Sequence, residues 1–114
     1  MPYLSIQSNK VFSEEEQTQL IKSASSLVST LLGKPETYVM VTITPPVPML
    51  FAGKDDLAAY LELKSIGLPE EKTRTFSKDL CALIESQTGI DKTRVYIEFS
   101  NAPRAMWGWN GTTF

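Results

Sequence analysis

Apolar residues along this chain follow two periods, and the switches between them mark out its elements. Leu20, Ile21, Ala24, Leu27, Val28, Leu31 and Leu32 recur three, four and seven positions apart, which places them on one stripe of a helix. Ser13 followed by Glu16 supplies a capping-box start, and Gly33 with Pro35 supplies a stop. A second helix is predicted from Pro69-Glu70-Glu71, where proline suits the first turn and acids suit the positive end of the helix dipole. Its stripe is Phe76, Leu80, Leu83 and Ile84, with Cys81 beside it, and Gly89 ends it.

Elsewhere the period falls to two. Tyr38–Thr44 and Arg94–Phe99 are rich in β-branched and aromatic residues, and Tyr3–Gln7 and Ala59–Ser65 alternate, with Leu61 and Leu63 sharing a face. Pro45-Pro46 and Pro48 forbid continuation of the second strand and make a stiff connector. A shift of 56 positions superimposes the two halves: Leu20 falls on Phe76, Ala24 on Leu80, Val28 on Ile84, Gly33 on Gly89, Val41 on Ile97 and Ile43 on Phe99. Each half is therefore a strand-helix-strand unit whose crossover favours parallel pairing. The predicted fold is α+β: one domain over residues 1–114, built from βαβ units at 2–57 and 58–114, with a four-stranded mixed sheet and both helices on one face. No third helix is available for the other face, and a symmetric oligomer with its sheets facing inward would cover it.

Composition narrows the chemistry. The chain has 114 residues, 42% hydrophobic and 21% charged, which fits an ordinary globular domain. A chain this short buries only about two thirds of the surface that its unfolded form exposes, so assembly would help it. The net charge of −2 provides no basic field for nucleic acid or an anionic membrane. There is no histidine and one cysteine, which removes Ser-His-Asp and Cys-His catalysis, His or Cys zinc clusters and any internal disulfide. No apolar run reaches the roughly 20 residues that span a bilayer, and Met1–Ser5 lacks the features of a secretory signal, so the expected compartment is the cytosol.

Few residues are left to carry chemistry. Pro2 becomes a free secondary amine if Met1 is removed, and retained Met1 makes its nitrogen an amide without basicity. Proline at this position is also common for no catalytic reason. Here it leads directly into a strand that would hold it rigidly, and apolar neighbours would lower the pKa of its amine by penalising the cation. Gly33-Lys34-Pro35 reads as a helix C-cap with a lysine at the negative dipole end, or as a cation placed for a substrate carboxylate. Ser65-Ile66-Gly67 ends a strand, where glycine permits a turn or the close approach of a ligand. The tail Trp107-Gly108-Trp109, with Phe114, packs on its own core, on a neighbouring subunit or around a pocket.

Taken together, Pro2, Gly33-Lys34-Pro35, Ser65-Ile66-Gly67, Phe76-Ser77-Lys78, Asp91–Ile97 and Gly108–Phe114 resemble the macrophage migration inhibitory factor family of the tautomerase superfamily, end to end and in order. Val95-Tyr96-Ile97 and Gly108-Trp109-Asn110 lie nearer to its name-giving branch than to its D-dopachrome tautomerase branch. The resemblance implies a homotrimer with an inner β-barrel and active sites at subunit interfaces. It also implies a keto-enol tautomerase that needs no cofactor or metal and acts on phenylpyruvate, hydroxyphenylpyruvate or dopachrome-type compounds. By position, Pro2 is the base, Lys34 binds the substrate carboxylate, and Ser65 and Ile66 adjoin the substrate, Ile66 through its backbone. Tyr96 comes from the adjacent subunit, and Trp107, Trp109 and Phe114 wall the pocket. The rival implication is a cytokine-like protein, exported without a signal peptide, that binds a cell-surface receptor and has a weak or vestigial site.

Three departures stand out. Glu98 replaces the asparagine of the best-known members; if it faces the site it repels an anionic substrate and raises the amine pKa, which implies lower or retuned activity. Trp107 replaces a small aliphatic residue at the rim. Ala58 and Leu61 stand where a Cys-x-x-Cys pair gives some members thiol chemistry, so that chemistry is expected to be absent, and Cys81 is expected to be a buried, inert thiol.

Overall fold

In a computed structural model that describes Met1–Phe114, the chain runs β1 (Tyr3–Ser8), α1 (Glu14–Leu32), β2 (Met40–Ile43), β3 (Ala59–Ile66), α2 (Thr73–Thr88) and β4 (Val95–Ala102). A short hairpin, β5 (Gly108–Trp109) with β6 (Thr112–Thr113), closes it. The strands form one sheet in the order β2-β1-β3-β4. Each βαβ unit pairs its own strands in parallel, and β1 meets β3 antiparallel, with Leu4 opposite Leu63 and Ile6 opposite Leu61. The fold is the predicted duplicated βαβ arrangement.

Local chemistry explains the ends of the helices. Ser13 Oγ accepts the Glu16 N–H at 3.1 Å while Glu16 Oε1 accepts the Ser13 N–H at 3.1 Å, the reciprocal capping box expected at the start of α1. The bond donated by the Ser13 N–H is the first reason the Glu16 carboxyl is held below its ordinary pKa, because that bond favours the charged form. Gly33 and Gly89 end α1 and α2 in the left-handed region, at φ 61° and 76°. The start of α2 departs from expectation. Glu70–Lys72 forms a 3₁₀ turn and the regular helix begins only at Thr73. No side chain caps that first turn, and tighter i→i+3 bonding takes the place of a cap. The predicted second strand is likewise shorter. Glu36–Tyr38 is a 3₁₀ turn, bonded through the Tyr38 N–H to the Pro35 carbonyl and the Val39 N–H to the Glu36 carbonyl.

Alternation then sorts the sheet into two faces. Leu4, Ile6, Ala59, Leu61 and Leu63 point toward the helices and meet Leu20, Ala24 and Val28 of α1 and Phe76, Leu80 and Ile84 of α2 in one core. Burying a side chain of this size stabilises the fold by about 1.5–3 kcal/mol. The opposite face carries Ser5, Gln7, Thr42, Glu62, Lys64 and Glu98. Tyr3, Met40, Tyr60 and Tyr96 share that face, so it carries exposed apolar surface at its ends as well as charge. Cys81 is half-buried at the margin of the core rather than fully enclosed. No helix is long and apolar enough to cross a membrane.

Replacing Ser13 with Ala removes an acceptor that no neighbour replaces, at a cost of about 1 kcal/mol, whereas Ser13→Gly costs only a few tenths. Urea titrations check this through a lower midpoint at unchanged slope for the Ala variant.

Candidate active site

β1 is a central strand, so the residue preceding it is walled by neighbours on both sides. Pro2 occupies that position. Proline has no N–H to contribute to a ladder and is tolerated at the beginning of a strand, and the Pro2 carbonyl accepts the Met40 N–H at 3.0 Å. Its side chain is fully buried. Above it opens a pocket of about 480 Å³ lined by Met1, Pro2, Tyr38, Lys64, Trp107, Trp109 and Phe114 among others.

The C-terminal hairpin supplies the aromatic wall. Asn110 and Gly111 turn at φ 53° and 74°, both positive, which is the requirement of a tight two-residue hairpin turn. The turn folds Trp109 back against Phe114, stacked at 5.4 Å between ring centroids and 14° between planes. Tyr38 meets both rings edge-on, at 5.8 Å from Trp109 and 5.9 Å from Phe114. The Phe114 N–H donates to the Trp107 carbonyl at 3.3 Å, so Trp107 anchors the tail.

Lys34 approaches from the end of α1. Its N–H donates to the Ser29 carbonyl at 3.1 Å and its carbonyl accepts Ser29 Oγ at 2.6 Å, so its backbone is held on both sides. The terminal amine of Met1 has a lowered pKa, first because burial penalises its charge and then because the Lys34 cation lies near it. Lys34 also lines an adjoining lobe of about 470 Å³ with Ile66, Gly67, Asn101, Ala102, Pro103 and Arg104. The Leu68 N–H donates to Asn101 Oδ1 at 3.1 Å, which ties the turn after Ile66 to the end of β4.

The remaining candidates lie elsewhere in the chain. Ser65 is fully buried on the helix-facing side of β3, and its hydroxyl donates to the Ile66 carbonyl at 3.2 Å. Its side chain lines neither lobe, because alternation along β3 turns it into the core. Tyr96 is 64% exposed at the start of β4 and lines a separate concavity of about 460 Å³ with Met49, Leu50, Phe51, Ala58 and Tyr60. Glu98 is exposed on the polar sheet face, where its carboxylate accepts the Tyr60 hydroxyl at 2.5 Å. Within one chain, neither Tyr96 nor Glu98 lines the Pro2 pocket.

Sequence reading overlooked three residues. Lys64 lines the Pro2 pocket, with its ammonium 3.6 Å from Glu62; strand alternation puts it on the open face next to Tyr3 but gives no sign that a pocket forms there. Tyr38 falls in a 3₁₀ turn rather than in the predicted second strand, and Arg104 lies in another 3₁₀ turn without periodicity. The Asn110-Gly111 pair was an available hairpin signal.

The fold and site define a small duplicated βαβ protein in which the residue heading the first strand forms the floor of an aromatic pocket flanked by cations. The chain belongs to the macrophage migration inhibitory factor family: that family's model matches residues 1–114. The family includes tautomerases and cytokine-like proteins. A macrophage migration inhibitory factor homolog of Brugia malayi is 35% identical over 115 residues, covering 100% of this chain and 99% of that protein. The Mus musculus macrophage migration inhibitory factor is 40% identical over 83 residues, 72% of each chain. Among solved structures, the homologue from Prochlorococcus marinus superimposes with a TM-score of 0.92 at 40% identity, covering 98% of each chain.

The hydrogen bond to Glu98 is the main reason the Tyr60 phenol is pushed up to about 12, with burial second. Glu98→Gln replaces a charged acceptor with a weaker neutral one and removes a charge that repels the phenolate. The Tyr60 titration, followed by NMR of ring-labelled tyrosine, should therefore move down toward the ordinary value of about 10. An unchanged titration would show that another group controls it.

Proposed function

We propose that the chain is a cofactor-independent keto-enol tautomerase, with Pro2 as the general base once Met1 has been removed. The observation that carries this reading is the placement of Pro2: buried, clamped through its carbonyl, and facing an aromatic pocket in which burial and the Lys34 cation hold the Met1 amine below its ordinary pKa. The same burial and the same cation disfavour the charged form of the Pro2 amine that loss of Met1 exposes. The amine accepts a proton from the carbon next to a ketone and returns it to the oxygen of the enolate, so that nothing is gained or lost overall. A positioned base of this kind typically contributes about 10²–10⁴-fold.

The aromatic wall of Trp107, Trp109, Phe114 and Tyr38 suits an aryl group, and Lys34 suits a carboxylate. Phenylpyruvate and hydroxyphenylpyruvate combine the two, and dopachrome-type compounds share the enolisable carbonyl. Ile66 contributes its backbone at the edge of the adjoining lobe. The working form is a homotrimer in which Tyr96 reaches the site of a neighbouring subunit. That assembly is supported by the wholly hydrophobic concavity at Tyr96, where Leu50 is 74% exposed and Phe51 packs on Tyr96 at 4.6 Å between centroids. Glu98 is bonded to Tyr60 on the open sheet face and lies outside the Pro2 pocket of its own chain, so its charge acts on the chemistry only through a neighbouring subunit.

On protein shown by intact mass to lack Met1, Pro2→Gly should reduce phenylpyruvate enolisation by at least about 10²-fold, and wild-type chain retaining Met1 should be similarly inactive. Turnover unchanged by Pro2→Gly would reject the proline base; loss of turnover with retained receptor binding would point instead to the cytokine-like role.

The sign of the pH effect follows from charge. The Lys34 cation disfavours an ammonium beside it, so Lys34→Ala relieves that repulsion and raises the pKa of the amine. The rising limb of the pH–rate profile should move to higher pH in Lys34→Ala, and KM for the keto acid should rise. A limb that stays in place would separate Lys34 from the base.

A further inference from the structure

The two cations of the adjoining lobe, Lys34 and Arg104, enter it from opposite ends of the sequence. Lys34 follows the Gly33 cap of α1, and Arg104 begins the 3₁₀ turn Arg104–Met106 that carries the chain from β4 to Trp107. That turn is closed by the Met106 N–H donating to the Pro103 carbonyl at 2.9 Å and the Trp107 N–H donating to the Arg104 carbonyl at 3.3 Å. Arg104 is thus fixed to the same short segment as the wall of the Pro2 pocket. The chain's two ion pairs are Lys10 with Glu16 and Lys64 with Glu62, so both Lys34 and Arg104 are without a carboxylate partner. No acidic residue lines the lobe, whose remaining walls are Ile66, Gly67, Asn101, Ala102 and Pro103.

Two unpaired cations facing one concavity, with no acid to neutralise them, make a receptor for an anion. The neighbouring pocket is apolar and aromatic, so the two lobes together match a ligand with an apolar body and an anionic end. We infer that Arg104 is a specificity-determining residue that, with Lys34, holds the carboxylate of the substrate and selects free keto acids over neutral carbonyl compounds. This rests on the tautomerase reading above. It extends that reading by assigning the anionic end a second cation. A planar guanidinium can form two parallel hydrogen bonds to a carboxylate, which a lysine ammonium cannot reproduce, so the pair discriminates by geometry as well as by charge.

The test compares phenylpyruvate with its uncharged methyl ester on wild type, Arg104→Ala and Arg104→Lys, all verified to lack Met1. Arg104→Ala should raise KM for the acid about tenfold with kcat within about twofold, which corresponds to loss of one charge-assisted hydrogen bond. The ester should be unaffected, and Arg104→Lys should recover part of the loss. Binding is followed separately by the indole N–H signals of Trp107 and Trp109, the chain's two tryptophans, which need no turnover to respond. An acid that binds Arg104→Ala as tightly as wild type, or acid and ester weakened alike, would overturn the assignment. Wild-type protein that binds the acid in an Arg104-dependent manner without turning it over would reject the tautomerase reading and leave the anion site standing.

Discussion

The antiparallel pairing of β1 with β3 is the contact on which everything else in this molecule depends. It is the only seam in the sheet between the two βαβ units, and Leu4, Ile6, Leu61 and Leu63 are removed from solvent along it. Within each unit, the right-handed crossover keeps the strands parallel and sets the helix on the same side. The seam then brings both helices over a single core. It also makes β1 a central strand. That placement buries Pro2, sets Lys64 across from Tyr3, and brings Met40 alongside on the other flank.

Duplication produces two equivalent corners, and they differ in chemistry. Tyr3 beside Met40 in the first unit corresponds to Tyr60 beside Tyr96 in the second, which sets Pro2 against Ala59 and Tyr38 against Arg94. The second corner is the concavity at Tyr96, where the chain runs on without a break. Arg94 holds it together: its guanidinium donates to the carbonyls of Phe51, Lys54, Asp56 and Leu57. Where the first corner has an open aromatic pocket at the head of a strand, the second has a clipped loop presenting hydrophobic residues. One pseudo-symmetric framework thus provides a candidate site at one corner and a candidate contact surface at the other.

The charges divide in the same way. Lys34 and Arg104 stay unpaired beside an apolar pocket, whereas the acid expected to disturb the site, Glu98, lies on the polar sheet face in a hydrogen bond with Tyr60. Accepting a neutral phenol hydroxyl leaves the carboxylate charge of Glu98 in place on that face.

Periodicity determined most of the architecture. A helix stripe at Leu20, Ala24 and Val28, repeated at Phe76, Leu80 and Ile84, can be satisfied only by burial against one shared layer, and the repeat itself dictates two like units. The capping box at Ser13 and the glycine stops at Gly33 and Gly89 were legible for the same reason: they are local, set by the bonds of a few consecutive residues. The resemblance also singled out Pro2, Lys34, Trp107, Trp109 and Phe114 before any geometry was known. What only the tertiary structure decided is which of the candidates share a pocket. Tyr38 and Arg104 carry no periodic signal, and alternation shows only which face of its strand Lys64 takes, yet strand pairing and two short turns bring all three to the lobes around Pro2. Ser65, one residue from Lys64, is turned into the core by the alternation of its strand. Local patterns record the bonds a segment makes with itself, whereas a site is assembled by contacts between segments far apart in sequence, and those exist only once the two halves have docked.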